Sequence, residues 1–253
     1  MTGKGSRHPL RNIKMVVEYD GTNYFGWQSQ AKGKTVQTVL EEAIEKILGH
    51  RAPVLASGRT DSGVHALAQV ANVRGHFPLD DAALLRALNS MIPYDISLKS
   101  VETVPTEFNA QKSAKWKTYR YVIYNAPERS ALNARTSWHI IFRLDMKKMR
   151  EAAYHLVGKH DFASFMGSNS SVKQTVRNII SIEVKRRKEL VTVETTSAGF
   201  LKQMVRNIAG TLVEVGRGRI KPEEMKTILA AKDRKKAGPT APAQGLFLVE
   251  VGY

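Results

Sequence analysis

The stretch from Ile13 to Leu48 reads IKMVVEYDGTNYFGWQSQAKGKTVQTVLEEAIEKIL, and the period of its apolar residues changes once. Up to Tyr19, apolar side chains alternate with other residues, which is typical of a half-buried β-strand. From Val36 onward, apolar residues recur at helical spacing, and Thr35 and Gly49 are suitable residues to begin and end a helix. This stretch therefore predicts a strand followed by an amphipathic helix.

The same two patterns continue through the next part of the chain. They predict strands at residues 54–56 and 70–73, a helix at 80–91 and a strand at 96–104. The order of strand, helix, strand, strand, helix and strand is the split βαβ pattern of ferredoxin-like and RNA-recognition domains.

A second, less regular series of elements follows. It comprises strands at 117–124, 178–185, 189–195 and 246–251, helices at 146–157 and 201–215, and a short helix from Pro222. We therefore predict an α+β protein of two related halves, residues 1–110 and 111–253. Each half is expected to have a mainly antiparallel sheet with helices packed on one face, and an active-site cleft is expected between the halves.

Composition limits the functions that this chain can have. Cysteine is absent, which excludes disulfides, thiolate metal sites and a cysteine nucleophile, and is consistent with a cytoplasmic location. No apolar run reaches the length of a membrane span. Lys and Arg number 39 against 23 Asp and Glu, so the net charge is +16. An excess of this size is typical of proteins that bind nucleic acid.

Common catalytic and metal motifs are missing from the sequence. Gly33 to Thr35 precede a helix, but Gln28 stands where a phosphate-binding loop needs a glycine. The histidines lack metal-ligand spacing, so no metal is predicted, and His160 with Asp161 is interpreted as a loop or helix-end pair. No serine lies in the G-x-S-x-G frame of a hydrolase.

One segment, SGRTDSGVHA from Ser57 to Ala66, is rich in residues that shape tight, exposed backbone. Arg59 and Asp61 present opposite charges two residues apart. On spacing alone, the better interpretation is a hairpin turn with a solvated ion pair.

The motif G-R-T-D-x-G-V-H-A in this segment resembles the catalytic loop of the tRNA pseudouridine synthase A family. Three more segments resemble the family in the same order, namely Tyr19–Gln28, Thr118–Tyr121 and Phe200–Ile208. The similarity extends from about residue 13 to residue 251. It implies a cofactor-free isomerase that converts uridine to pseudouridine at positions 38, 39 and 40 of the tRNA anticodon stem-loop. It also implies a homodimer.

The resemblance implies that Asp61 is the catalytic residue. The carboxylate could attack the sugar C1′, assist loss of a C2′ proton or add to C6 of the base, and the sequence leaves all three routes open. Family resemblance assigns the contact that flips the base to Arg59 and places Tyr119 against the flipped uracil. Arg206 is the candidate cation that keeps Asp61 ionised. Leu246 is expected to add an apolar wall.

Several of these residues also have purely structural interpretations. Without the resemblance, Tyr119 is a core or surface tyrosine of an aromatic strand, and Phe25 and Trp27 are interpreted as packing residues. Asp20 is interpreted as a turn residue. The strongest rival function is a non-catalytic RNA-binding protein with two recognition-like domains, but the aromatic R-G-F-G-F-V-type strand that it needs does not occur in the sequence.

Overall fold

The computed structural model of the chain describes residues 8–31, 33–168, 170 and 172–253. The chain divides into two compact units, one that extends to Lys115 and includes Glu250–Tyr253, and one over Trp116–Val249. Each unit combines α-helices with mainly antiparallel strands, which confirms the predicted α+β class. Within the described residues, no helix is long and apolar enough to cross a lipid bilayer.

The first unit has the predicted order of elements. It contains β1 (Arg11–Tyr19), α1 (Val36–Leu48), β2 (Leu55–Ala56), β3 (His65–Gly75), α2 (Asp81–Met91) and β4 (Ile96–Val104). The strand order is β4-β1-β3, β2 pairs with the other edge of β3, and all these pairs are antiparallel. Strand β3 begins five residues earlier than expected, because its pairing with β1 extends to Ala66 opposite Tyr19.

Helix α1 shows how local sequence sets these bounds. Thr35 accepts a hydrogen bond from the Thr38 backbone N–H at 3.2 Å, and the Thr38 hydroxyl accepts one from the Thr35 N–H at 3.2 Å. This is a reciprocal cap of the first turn. Gly49 ends the helix with φ +77°, a left-handed conformation that glycine adopts without steric cost. The predicted start and end of this helix are confirmed.

The second unit contains more short elements than the sequence predicts. They are β5 (Trp116–Asn125), β6 (Trp138–Ile140), α3 (Met146–Tyr154), β7 (Gly158–Asp161), β8 (Val176–Arg187), β9 (Leu190–Ser197), α4 (Met204–Gly216), α5 (Glu224–Ala231) and the start of β10 (Leu246–Gly252). The strand order is β10-β5-β9-β8-β7, with β6 parallel to β5.

Strands β6 and β7 were not predicted, because three or four residues are too few to show a period. The interpretation of His160 and Asp161 as a loop or helix-end pair is wrong, since both lie in β7 and pair with β8. Asp161 accepts a hydrogen bond from the Thr175 hydroxyl at 2.6 Å and forms an ion pair with Lys232 at 3.1 Å. These contacts lower the pKa of the Asp161 carboxyl, the Thr175 hydrogen bond first among them.

Strand β9 places a buried hydroxyl next to β5. Thr195 lies opposite Tyr119 and Ile182, and its side chain is fully buried. Of the buried side-chain polar atoms in the part of the chain that the structure describes, only Thr195 Oγ1 has no hydrogen-bond partner. A buried polar atom without a partner lowers stability by the free energy of its lost hydration.

We therefore expect Thr195→Val to raise the free energy of unfolding by about 1 kcal/mol, because the apolar isostere removes the unsatisfied hydroxyl. Urea denaturation followed by circular dichroism measures the change. Thr195→Ser is the matched control: it keeps the hydroxyl, removes a buried methyl group, and should lower stability. Lower stability in Thr195→Val would contradict the view that this hydroxyl is unsatisfied.

Candidate active site

The segment from Ser57 to Val64 connects β2 to β3 and carries two predicted site residues. Arg59 is exposed and Asp61 is half-buried. The segment is only partly exposed, because Ser57 and Thr60 are buried. Gly63 has φ +76°. We call residues 57–64 the Asp61 loop.

Buried hydrogen bonds fix the backbone on both sides of Arg59. The Ser57 hydroxyl donates to Gln69 Oε1 at 2.7 Å, and Gln69 Nε2 donates to the Gly58 carbonyl at 2.9 Å. On the other side, the Thr60 and Tyr19 hydroxyls lie 2.8 Å apart. Burial raises the pKa of Tyr19 to about 12, against the smaller opposing effect of its hydrogen bonds, so its hydroxyl stays protonated at neutral pH. The residues on both sides of Arg59 are therefore hydrogen-bonded to buried side chains of β1 and β3.

A second segment, Tyr24–Trp27, lies directly alongside the Asp61 loop. The Trp27 N–H donates to the Thr60 carbonyl at 3.1 Å, and the Gly63 N–H donates to the Tyr24 carbonyl at 3.3 Å. These two hydrogen bonds run in the antiparallel sense and place Gly26 opposite Asp61. We call this arrangement the Gly26 contact.

The Gly26 contact requires a residue without a side chain. Gly26 has φ +86°, and a Cβ atom there would lie 2.6 Å from the Thr60 carbonyl oxygen and 3.1 Å from the Asp61 carbonyl carbon. At Gly21, a Cβ atom would lie 2.0 Å from the Val64 carbonyl oxygen. The Tyr19–Gln28 segment and the Asp61 loop are distant in sequence, but their backbones are thus in direct contact.

His65 connects the same two segments at the start of β3. Its Nδ1 atom lies 3.1 Å from the Gly21 backbone N and 3.1 Å from Asp20 Oδ1. One ring nitrogen cannot accept a hydrogen bond from Gly21 and donate one to Asp20 at once, so Nδ1 binds Gly21 when it carries no proton and Asp20 when it carries one. Asp20 also accepts a hydrogen bond from the Thr22 N–H at 3.0 Å, which fits its interpretation as a turn residue.

The second unit carries the remaining predicted site residues. Tyr119 lies on β5, and its buried ring makes an edge contact with Phe200 at 5.0 Å between centroids. On α4, Arg206 Nε donates to the Ala241 carbonyl at 2.8 Å, and the Ala241 N–H donates to the Arg206 carbonyl at 3.2 Å. Leu246 is buried at the start of β10. Arg206 is therefore bonded to the segment that leads into Leu246.

A buried polar cluster beside Arg206 was missed by sequence reasoning. Asn207 Oδ1 accepts hydrogen bonds from Arg234 at 3.0 Å and from the Thr240 hydroxyl at 2.6 Å, and Asn207 Nδ2 donates to the Phe165 carbonyl at 2.7 Å. Arg234 thus anchors the loop that contains Thr240. The one feature of the sequence that could have indicated this cluster is the polar residue at position 207, which lies on the apolar face of the predicted helix.

Comparison with known proteins identifies the class of protein that carries this site. A family model described as tRNA pseudouridine synthase matches residues 15–111 and 152–253, ranges that include Arg59, Asp61, Arg206 and Leu246, whereas Tyr119 lies between them. The fold and the matched loop define an isomerase of the pseudouridine synthase class.

Relatives support the same assignment over almost the whole chain. Proteins named tRNA pseudouridine synthase A from Pelobacter propionicus and Geotalea uraniireducens are 48% and 46% identical to it. Each alignment covers 96% of this chain and 100% of the relative. The chain belongs to the tRNA pseudouridine synthase family. In a crystal structure of a Cbf5-Nop10-Gar1 complex, a chain with 15% identity has a TM-score of 0.42, over 94% of this chain and 49% of that one.

We expect Gly26→Ala to lower turnover by at least about tenfold while the protein remains folded. The new Cβ atom must displace the Thr60 carbonyl, and with it the backbone of Asp61. The loss is expected on the prediction that Asp61 is the catalytic residue, because misplacement of a reacting group by about 1 Å can cost on the order of a hundredfold in rate. Single-turnover formation of pseudouridine in tRNA measures the effect.

Gly49→Ala is the matched control for backbone strain. Gly49 has a similar φ of +77°, but a Cβ atom there would have no other atom within 4 Å among the described residues. This variant should lose about 1 kcal/mol of stability and keep its turnover. Equal turnover in the two variants would show that turnover does not depend on the Gly26 contact.

Proposed function

We propose that this chain isomerises uridine to pseudouridine at positions 38, 39 and 40 of the tRNA anticodon stem-loop, with Asp61 as the catalytic nucleophile or base. The observation that carries the proposal is the half-buried position of Asp61 in a loop with a fixed backbone, within the range that the family model matches. A backbone fixed in this way limits where the carboxylate can lie, which favours a group that must meet its substrate in one geometry.

The chemistry needs no group from outside the chain and the RNA. The bond between N1 of uracil and C1′ breaks, the base turns, and a bond forms between C5 and C1′. The proton on C5 is lost and N1 gains one, so the product is an isomer of the substrate. Asp61 as nucleophile at C1′ or C6, or as base at C2′, fits this balance, and no cofactor is part of the proposal.

The target uridine must leave the stacked stem before it reacts. We assign Arg59 to this step, because its guanidinium is exposed on a loop with fixed flanks and is planar enough to stack where the base was. Tyr119, Arg206 and Leu246 are assigned to binding of the target nucleotide. For Tyr119, the edge contact with Phe200 supports this role, since it fixes the orientation of the ring.

The partner that we propose is tRNA, bound by a homodimer of this chain in the cytoplasm. The net charge of +16 supports a polyanionic partner, because each Lys or Arg placed on a phosphate releases counterions. Charge alone supplies affinity without sequence preference, so the choice of nucleotide must come from the residues around Asp61.

Asp61→Asn tests the proposal directly. The variant keeps the size of the side chain and removes its negative charge, so it should still bind tRNA but lose turnover by more than about a thousandfold, a barrier change of about 4 kcal/mol. The measurement is single-turnover pseudouridine formation on unmodified tRNA with no added cofactor. The product should be mapped to positions 38, 39 and 40.

Asp20→Asn is the matched control, a carboxylate-to-amide change in the same unit. It should lower stability, because Asp20 caps a turn, and leave turnover within a few fold. Turnover by folded Asp61→Asn within about tenfold of the wild type would remove Asp61 from the mechanism. Binding of tRNA by the wild type without any product would favour a non-catalytic RNA-binding protein.

Arg59 variants test base flipping separately. Arg59→Ala and Arg59→Lys should both slow turnover by about a hundredfold or more and weaken tRNA binding only a few fold, because the planar guanidinium acts once the base leaves the stack. Binding by filter retention and single-turnover rates measure the two effects. If Arg59→Lys keeps the wild-type rate, the side chain is only a phosphate contact.

A further inference from the structure

Phe25 is an exposed aromatic residue between buried neighbours. Its exposed fraction is 59%, compared with 2% for Tyr24 and 1% for Trp27. Its interpretation as a packing residue is wrong, whereas that of Trp27 is confirmed. The large apolar ring faces solvent at a position where the chain on either side is part of the core, so its exposure is fixed by the fold.

The ring and its backbone are held in place. The Phe25 N–H donates to the Lys34 carbonyl at 2.9 Å, and Gln30 Nε2 donates to the Phe25 carbonyl at 2.8 Å. Gly33 lies against the ring with φ +86°, and a Cβ atom there would come within 2.4 Å of Cδ2 and 2.6 Å of Cγ. Backbone therefore supports one side of the ring, and a side chain at position 33 would displace it.

This fixed ring lies beside the proposed catalytic loop. The Gly26 contact pairs the backbone of Tyr24–Trp27 with that of Thr60–Gly63, which places Phe25 opposite Ser62. Both residues are exposed. Two exposed cations belong to the chain around this contact. Arg59 lies in the Asp61 loop, and Lys34, whose carbonyl accepts the Phe25 N–H, places its ammonium 5.6 Å from the centroid of the Tyr24 ring. A rigid exposed ring with cations near it is the combination by which proteins bind unpaired nucleotides, since the ring stacks on a base and the cations bind phosphates.

We propose that the Phe25 ring is a stacking platform for one unpaired nucleobase of the RNA substrate, next to the target uridine. The proposal rests on the proposed function for the location of that base. Stacking on an aromatic ring tolerates any base, because every base has a π-face, so the platform adds affinity and register at several target positions without reading sequence. Its role is to position the RNA, and it takes no part in the bond changes.

Phe25→Ala and Phe25→Leu should each weaken binding of an anticodon stem-loop by about tenfold, because both remove the aromatic face and leucine keeps the apolar bulk. Phe25→Tyr, which keeps an aromatic ring, should bind the stem-loop with the wild-type Kd. The KM should rise and kcat should stay within about twofold, since the platform does not touch the reacting atoms. Gly33→Ala, which displaces the ring without removing it, should give a loss in the same direction.

A scan of single abasic nucleotides in the stem-loop tests the stacking itself. With the wild type, one abasic position beside the target should weaken binding by about tenfold. With Phe25→Ala, the same abasic position should have no further effect, because the ring and its base form one interaction. Tyr154→Ala, which removes an exposed aromatic ring from α3, is the matched control and should bind like the wild type.

Wild-type affinity in Phe25→Ala, or an equal loss in Phe25→Leu and Phe25→Tyr, would overturn the platform. So would abasic effects that are independent of Phe25, or a loss in Tyr154→Ala as large as that in Phe25→Ala. These readouts are binding constants and do not require turnover. If the RNA binds through Phe25 but no pseudouridine forms, the platform stands and the proposed function fails.

Discussion

The structure of the first unit depends on the close approach of two backbones at Gly26. The Trp27 N–H and Gly63 N–H close hydrogen bonds across this contact, and only a residue without Cβ fits between them. On the other side, the Gly26 and Trp27 carbonyls accept hydrogen bonds from the first N–H groups of α1, at 3.2 and 3.1 Å. The segment thus satisfies a helix start, whose N–H groups have no partner within the helix, and supports the Asp61 loop at the same time.

Beneath the Asp61 loop, polar side chains replace the apolar packing that is usual in a core. Ser57, Gln69, Thr60 and Tyr19 are all buried, and each makes at least one hydrogen bond to another of the four. A buried polar network stabilises one conformation only when its members are satisfied, since any displacement leaves a polar atom unpaired at a cost of about 1–3 kcal/mol. Movement of the loop would therefore lower stability, and the backbone of Asp61 stays in one position.

Sequence predicted the features that depend on neighbouring residues. The start and end of α1, the bounds of β4 and the order of the first six elements follow from apolar period and capping residues. The features that it missed depend on distant pairs: Thr60 bonds to Tyr19, 41 residues away, and Arg234 bonds to Asn207, 27 residues away. The exposure of Phe25 belongs to the same class, because it results from contacts of the backbone with Lys34 and of the ring with Gly33. No local pattern distinguishes it from its buried neighbour Trp27.

In the second unit, close approach of two backbones at glycines also fixes the surroundings of Arg206. On α4, a Cβ atom at Gly210 would lie 1.8 Å from the Pro239 carbonyl oxygen, and one at Gly238 would lie 2.7 Å from the Thr211 Cα atom. This close approach keeps Ala241 bonded to Arg206 on both its N–H and its carbonyl. Backbone contacts of this kind set the position of Arg206, as they set that of Asp61 in the first unit. A glycine at a backbone crossing fixes such a group more tightly than side-chain packing does, because the two backbones have no rotamers through which to relax.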